Sequence, residues 1–389
     1  MNVSVESAVS APRVALLDQL RGFALLGIVL VNVPFLGITN AGLTAAVANT
    51  PLDATIAFLI VTLAQGKFYL LFAFLFGYSA ALLLRDDNCS RRAAYGRRML
   101  GLGVLGALHA VFFFIGDILM SYAVLGLFLL LLARRSTRAL LITAAVSLTV
   151  GASVFALIVL DALEQGIVDA GIVVDPSAFD RVLADGTFLE AAAGRLTVLP
   201  EALLFQVAAN WFPAFAMFAL GLAAARTTLF VEPGRHTSLW RRLIVVALLI
   251  GLPLALLSGW LQVISVDPTG IDQLLGVALG FIAAPALTGG YVGAFALLTG
   301  TRWASGFAPA GKASLSIYLA ESVILSAVFS GWGLGLFGAV SVAVAAVIAV
   351  VTWIALDGSA ALWLRRVRYG PMEYVLRWLT TLRRPTAAG

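Results

Sequence analysis

Apolar stretches of about 18 residues or more recur along this chain, and that is the length a helix needs to cross a bilayer. The first of them, "LLDQLRGFALLGIVLVN" at 16–32, has only an aspartate, a glutamine and an arginine near its head and closes on an asparagine. Backbone amides in lipid must be satisfied internally, which leaves helices or closed barrels. A barrel would show short segments alternating apolar and polar residues, and none is present. With 61% hydrophobic and 12% charged residues, far below the charge of soluble domains, the fold class is all-α: a polytopic transmembrane helix bundle.

Ten spans fit the hydropathy, at about 15–37, 68–84, 97–116, 118–133, 139–160, 202–225, 241–265, 271–299, 313–331 and 336–356. Residues 52–66 are apolar but too short to span before Gly66 and Lys67, and are expected to form an interfacial or re-entrant helix. The chain reads as one integral-membrane domain over 1–389. It comprises an N-terminal block of about 15–133, an acid-rich outer loop of about 161–201 and a C-terminal bundle of about 202–380. The outer loop is long enough for a small lid or an amphipathic helix. The small-residue triplet "AVA" at 46–48 has the spacing of a signal-peptidase site, but the length and charges of the first run favour an uncleaved span.

Placing the N-terminus in the cytoplasm puts all but three of the 25 basic residues in cytoplasmic segments; the exceptions are Lys67, Arg181 and Arg195. This bias predicts that both termini are cytoplasmic. It also accounts for the net charge of +5 without nucleic acid. A single cysteine, Cys89, excludes an internal disulfide, and no metal site is expected. The lipid bilayer is the expected partner, and the sequence leaves a homo-oligomer open. No P-loop, dinucleotide fingerprint, zinc motif or nucleophile elbow is present.

Ionisable groups inside a span cost about 2.5–3.5 kcal/mol each, so each requires a reason. Asp18 and Arg21 lie three residues apart and can pair on one helix face. Asn32 follows Arg21 by eleven residues, on the same face about 16 Å further along the axis. These three form either a polar stripe across the membrane or a surface pair plus a helix-helix contact. In "GLGVLGALHAVFFFIGDIL", His109 is the side chain best suited to moving protons near neutral pH. Asp117 lies eight residues on, about 12 Å along a continuous helix, and reaches His109 only if the chain turns back at Gly116. Otherwise it caps the next helix or meets a polar substrate at the outer mouth.

Lys67 is expected either as an interfacial anchor or as a cation facing an anionic substrate. Asn210 precedes Pro213 at an expected kink, and Glu321 stands mid-span with Tyr318 one turn before it. Gly276/Gly280 and Gly289/Gly293 carry the small-xxx-small spacing of close helix packing.

The blocks "LLDQLRGFALLGIVLVN", "GKFYLLFAFLFGYS", "RRMLGLGVLGALHAVFFFIGDILMSYAVLGL", "GKASLSIYLAES" and "YGPMEYVLRWLT" together resemble the YeiB-like family of bacterial inner-membrane proteins. Glu321 departs from that pattern, where glutamine is commoner. The first block also resembles the opening span of membrane acyltransferases that carry acyl groups from cytoplasmic acyl-coenzyme A to sugars across the membrane. One branch has a histidine eleven residues after the arginine; here that residue is Asn32, as in the lysosomal glucosamine N-acetyltransferase branch.

The resemblance implies acyl-coenzyme A as donor substrate, with its phosphates near Arg21 and the basic inner loops. A glycan, lipid or small-molecule acceptor would approach from outside. Asn32 cannot act as a base, which leaves His109 for that role, Asn32 to orient the acceptor, and Lys67 and Asp117 to shape the outer mouth. A proton-coupled transporter or flippase centred on Glu321 is the alternative. A non-catalytic membrane scaffold, tolerant of change at His109 and Arg21, is the third reading.

Overall fold

The computed structural model describes residues 14–43, 49–85, 89–165, 176–265 and 271–381. The triplet at 46–48, together with Arg13, Asp169, Asp175, Arg383 and Arg384, lies outside them. Every regular element among the described residues is helical. In chain order these are α1 (Ala15–Gly37), α2 (Pro51–Leu59), α3 (Lys67–Leu83), α4 (Cys89–Phe112), α5 (Leu119–Leu132), α6 (Thr137–Gln165), α7 (Pro176–Asp185) and α8 (Phe188–Gln206). There follow α9 (Phe212–Ala224), α10 (Thr237–Val246), α11 (Leu252–Gly259), α12 (Ile271–Leu298), α13 (Arg302–Ser305), α14 (Ala308–Lys312), α15 (Ser314–Phe329), α16 (Val342–Trp363) and α17 (Pro371–Thr381).

Seven helices among the described residues are long and apolar enough to cross a membrane: Ala15–Gly37, Pro51–Leu83, Thr137–Asp161, Phe188–Ala224, Pro233–Ile264, Ile271–Leu298 and Val342–Trp363. The other three expected spans correspond to α4, which starts among arginines, and to the shorter α5 and α15. Leucines and valines such as Leu131, Leu157, Leu204, Leu249 and Val347 point outward, more than half exposed. The chain is therefore a multi-pass helical membrane protein whose apolar exterior matches lipid.

Two stretches differ from the hydropathy reading. The expected outer loop of about 161–201 is largely helical. α7 buries Phe179 and Leu183 against the core, as an amphipathic lid would, and Asp180 on it accepts from Thr39 and Asn40. α8 begins at Phe188, behind a Thr187–Glu190 capping box, and carries the sixth apolar segment well before residue 202. Arg195, expected outside the membrane, is thus buried on α8, bonded to Phe112 O and Ser326 Oγ. Charges at 190, 195 and 201 dilute the local hydropathy and hide this helix in the sequence.

The second difference is at residues 51–83. α2 widens into a π-turn over Ile60–Ala64, the helix breaks at Gln65 (φ −58°, ψ 124°) and Gly66 (φ 83°, ψ −25°), and α3 begins at Lys67. Those angles are a type II turn, whose second central residue must be glycine or nearly so. The interfacial or re-entrant helix and the span after it are thus two limbs of one broken helix. Neighbouring side chains satisfy the carbonyls around the break, as an interrupted helix in lipid requires: Tyr291 donates to Leu63 O (2.6 Å) and Lys67 Nζ to Val61 O (2.9 Å).

Carboxylates from distant elements cap helix starts at both ends of the bundle. Asp53 accepts from the Ala343 amide (2.9 Å), and Glu373 on α17 accepts from Leu315 N (2.6 Å) and Ser316 Oγ (2.5 Å). First-turn amides lack intrahelical partners, so Glu373 ties α17 to α15. Glu373→Ala is expected to lower stability by about 2 kcal/mol, the range for hydrogen bonds to a charged group. Thermal unfolding in detergent checks this.

Candidate functional site

α4 stops at Phe112, and the amides of Phe113 and Phe114 both fall on His109 O (2.9 Å each). The chain then turns through Gly116 into α5, so α4 and α5 pack as a hairpin. Gly106 allows the turn to lie this close: a Cβ there would stand 2.5 Å from Met120 N and 2.7 Å from Asp117 Oδ1. The eight-residue separation, too long along a continuous helix, closes to a direct contact. His109 Nδ1 and Asp117 Oδ2 are 2.7 Å apart, both residues buried.

Asp117 is also a helix cap, its Oδ1 accepting from Met120 N (3.0 Å). Tyr318 Oη donates to Asp117 Oδ2 (3.3 Å) and accepts from Ile118 N (3.2 Å), while Gln206 Nε2 donates to Asp117 O (3.1 Å). With every partner of the carboxylate a donor, Nδ1 of a neutral His109 carries the proton and Nε2 is left as the basic nitrogen. Among the described residues, Nε2 is buried with no hydrogen-bond partner.

Two cavities of about 260 Å³ each lie in opposite halves of the bundle. One is lined by Arg21, Arg98 and Lys312, with Ser79, Tyr95, Tyr122, Tyr318 and Glu373. The other opens between the C-terminal half of α1 and the break before α3, lined by Asn32, Lys67, Tyr69, Ile118, Gln206 and Asn210 among largely apolar neighbours. Two hydrogen bonds cross the wall between them: Tyr318 with the Ile118 amide, and Tyr122 Oη to Tyr69 O (2.6 Å). His109 and Asp117 stand behind that wall and line neither cavity.

Asp18 and Arg21 form the expected pair (2.9 Å), and Arg21 also donates to Ser79 Oγ (2.7 Å). Arg21 and Asn32 do not border one continuous path, because they face different cavities on either side of the wall. Lys67 is fully buried rather than an interfacial anchor. Asn210 sits in the π-turn Val207–Trp211 and donates to Gln206 Oε1 (3.3 Å). Glu321 is buried one turn beyond Tyr318 and lines neither cavity; its Oε1 has no hydrogen-bond partner among the described residues.

Of the glycine pairs, Gly276 packs against Gln262 and Gly280 against Ser258, while beside Gly293 the second close contact is Gly290 on Ala247 rather than Gly289. The sequence reading missed Arg98 as a site residue. It lay hidden among the basic residues of "RRAAYGRR". Only its one-turn spacing from Tyr95 and Leu102, both buried, shows that it faces inward.

A profile described as "Protein of unknown function (DUF418)" matches residues 224–383. Over 403 residues, covering 97% of both chains, the sequence is 30% identical to "Uncharacterized protein YxaH" of Bacillus subtilis (strain 168). The chain belongs to this YeiB-like family. It is also 28% identical to "Uncharacterized protein YeiB" of Escherichia coli (strain K12) over 383 residues, covering 94% of this chain and 95% of YeiB. In this family member, two of the blocks that carry the resemblance, around Ser316 and around Glu373, meet through the cap of α15.

Proposed function

We propose that this YeiB-like protein is an integral-membrane acyltransferase. The observation that carries the reading is the His109–Asp117 pair held by Tyr318 behind the wall between a cationic cavity and an amide-lined one. Acyl-coenzyme A enters the cationic cavity from the cytoplasm, in keeping with the charge bias of the sequence. Arg21 and Arg98 bind its phosphates; Arg98 makes no hydrogen bond among the described residues, and a guanidinium suits a phosphate in a bidentate manner. The acceptor enters from the opposite cavity, where Asn32 and Asn210 orient it.

A side-chain rotation in the wall admits the acceptor to His109 Nε2. The imidazole takes the acceptor's proton as its oxygen or nitrogen attacks the thioester carbonyl. The C–S bond then breaks, and the departing thiolate takes the proton back from the imidazolium. Asp117 holds the ring and stabilises that imidazolium.

The test is binding of coenzyme A to the purified protein by calorimetry. Arg98→Gln is expected to weaken it about tenfold, the loss of one charge-assisted contact. The broken helix at Gln65–Gly66 and the buried Glu321, whose Oε1 has no hydrogen-bond partner among the described residues, favour a second reading, a proton-coupled carrier. Proteoliposomes that accumulate a solute, from protein with no measurable affinity for coenzyme A, would establish the carrier and rule out the enzyme.

A further inference from the structure

Lys67 presents an electrostatic problem that the acyl-transfer scheme does not use. Its side chain is fully buried, its ammonium has one hydrogen bond, to Val61 O, and no carboxylate pairs with it among the described residues. It is also the first residue of the 17-residue helix α3, where the helix dipole is positive and the first amides have no intrahelical acceptor. A cation at the positive end of a helix is unfavourable, and burial without a counter-charge adds several kcal/mol.

Lys67 also lines one of the two cavities. Its wall has no acidic side chain among the described residues, and its polar members include the carboxamides of Asn32, Gln65 and Gln262. The rest is apolar, including Phe155, Phe205 and Phe281. Two further interruptions open on the same space: the π-turns Val207–Trp211 and Trp260–Ile264 contribute Asn210 and Gln262. Helix breaks of this kind are tolerated in a membrane where they line a cavity, and helix N-termini there face anionic groups.

We propose that this cavity binds an amphiphile whose head is a phosphate or carboxylate. Its anion sits against Lys67 Nζ and the α3 N-terminus, its other polar groups meet the carboxamides, and its tail lies along the phenylalanines. The proposal rests on the acyltransferase reading only in taking this molecule as the acceptor. A neutral sugar alone would leave the ammonium without a counter-charge. A cationic ligand would face Lys67 with no acid to receive it.

Native mass spectrometry of the full-length protein, released from micelles without coenzyme A, tests this with three probes: decyl phosphate, decanol and inorganic phosphate. The wild type is expected to bind decyl phosphate about tenfold more tightly than decanol. Lys67→Gln is expected to abolish that preference. Displacement by millimolar inorganic phosphate assigns the site to a free anion, and resistance to displacement assigns it to a lipid headgroup. Equal binding of decyl phosphate and decanol by the wild type overturns the proposal, and so does a preference that survives in Lys67→Gln.

If Lys67→Gln does not fold, the wild-type comparison still decides on the anion. Ala209→Phe, which adds bulk at the cavity wall, then decides on the location: unchanged decyl phosphate binding in that variant excludes this cavity. The probes do not involve the donor cavity. Failure here leaves coenzyme A binding to be judged separately. Absence of coenzyme A binding with an intact decyl phosphate preference removes only the enzyme reading.

Discussion

Asp117→Asn and His109→Ala are each expected to lower acyl transfer about a thousandfold, the range lost with a positioned general base. The two variants act differently. His109→Ala removes the base and leaves the Asp117 carboxylate buried with the Met120 main-chain amide and Tyr318 Oη as its remaining donors. Stability falls with activity in that variant, because a buried charge has lost its partner.

Asp117→Asn keeps the shape and the helix cap, since the amide oxygen still accepts from Met120 N. Its NH2 then faces Nδ1 and favours the tautomer with the proton on Nε2, which cannot take a proton from an acceptor. Activity is expected to fall far more than stability, which loses only the long bond from Tyr318 Oη to the replaced oxygen (3.3 Å). The measurement is coenzyme A thiol release under single-turnover conditions, beside a melting curve for each variant. Release at the wild-type rate by a folded Asp117→Asn protein would remove the dyad from the chemistry. Tyr318→Phe is the gentler comparison, losing one hydroxyl between Asp117 and the Ile118 amide.

What the sequence made legible was what is local. The Asp18–Arg21 pair follows from their three-residue spacing on one helix, and the helical membrane class follows from the long apolar runs. The interruption at Gly66 and Lys67 was visible as "QGK", but whether it lay at a surface or inside the bundle depends on α12, which supplies Tyr291 and Thr288 to the broken segment. The His109–Asp117 contact depended on whether α4 continued past Phe112. Three phenylalanines and an isoleucine before Gly116 read as a continuing apolar helix, and only the packing of Gly106 against Met120 N shows the reversal.

Arg195 was misplaced for a related reason. Hydropathy averages over both faces of a helix, and α8 turns its polar residues in two directions: Glu190 and Glu201 outward, Arg195 toward Phe112 and Ser326. The division into two cavities is tertiary throughout. Residues of α1 and α3 contribute to both, and nothing in either helix's own pattern marks where one cavity ends and the other begins.

A large stability effect is expected at the crossing of α3 and α9. A Cβ on Gly77 would run into the carbonyl of Phe218, and a Cβ on Gly221 into the carbonyl of Phe74, so each helix admits the other's backbone at a glycine. Close backbone approach is how membrane helices gain packing where lipid supplies no hydrophobic drive. A side chain in the way could change rotamer, but a helical carbonyl cannot move without its helix. Gly77→Ala or Gly221→Ala must therefore push α3 and α9 apart, at about 3 kcal/mol each. The double variant should cost less than the sum, because the first substitution has already opened the contact that the second would break. Gly96→Ala and Gly358→Ala lie in helices with nothing within 4 Å of the added carbon; there the gain in helix propensity should leave stability unchanged or raise it by about 0.5–1 kcal/mol. Unfolding in micelles compares the four. If Gly77→Ala melts with Gly358→Ala, the crossing is looser than its geometry implies. If it melts far below, both cavities should lose shape with it, since α3 carries Lys67 and Tyr69 on one side of the wall and Ser79 on the other.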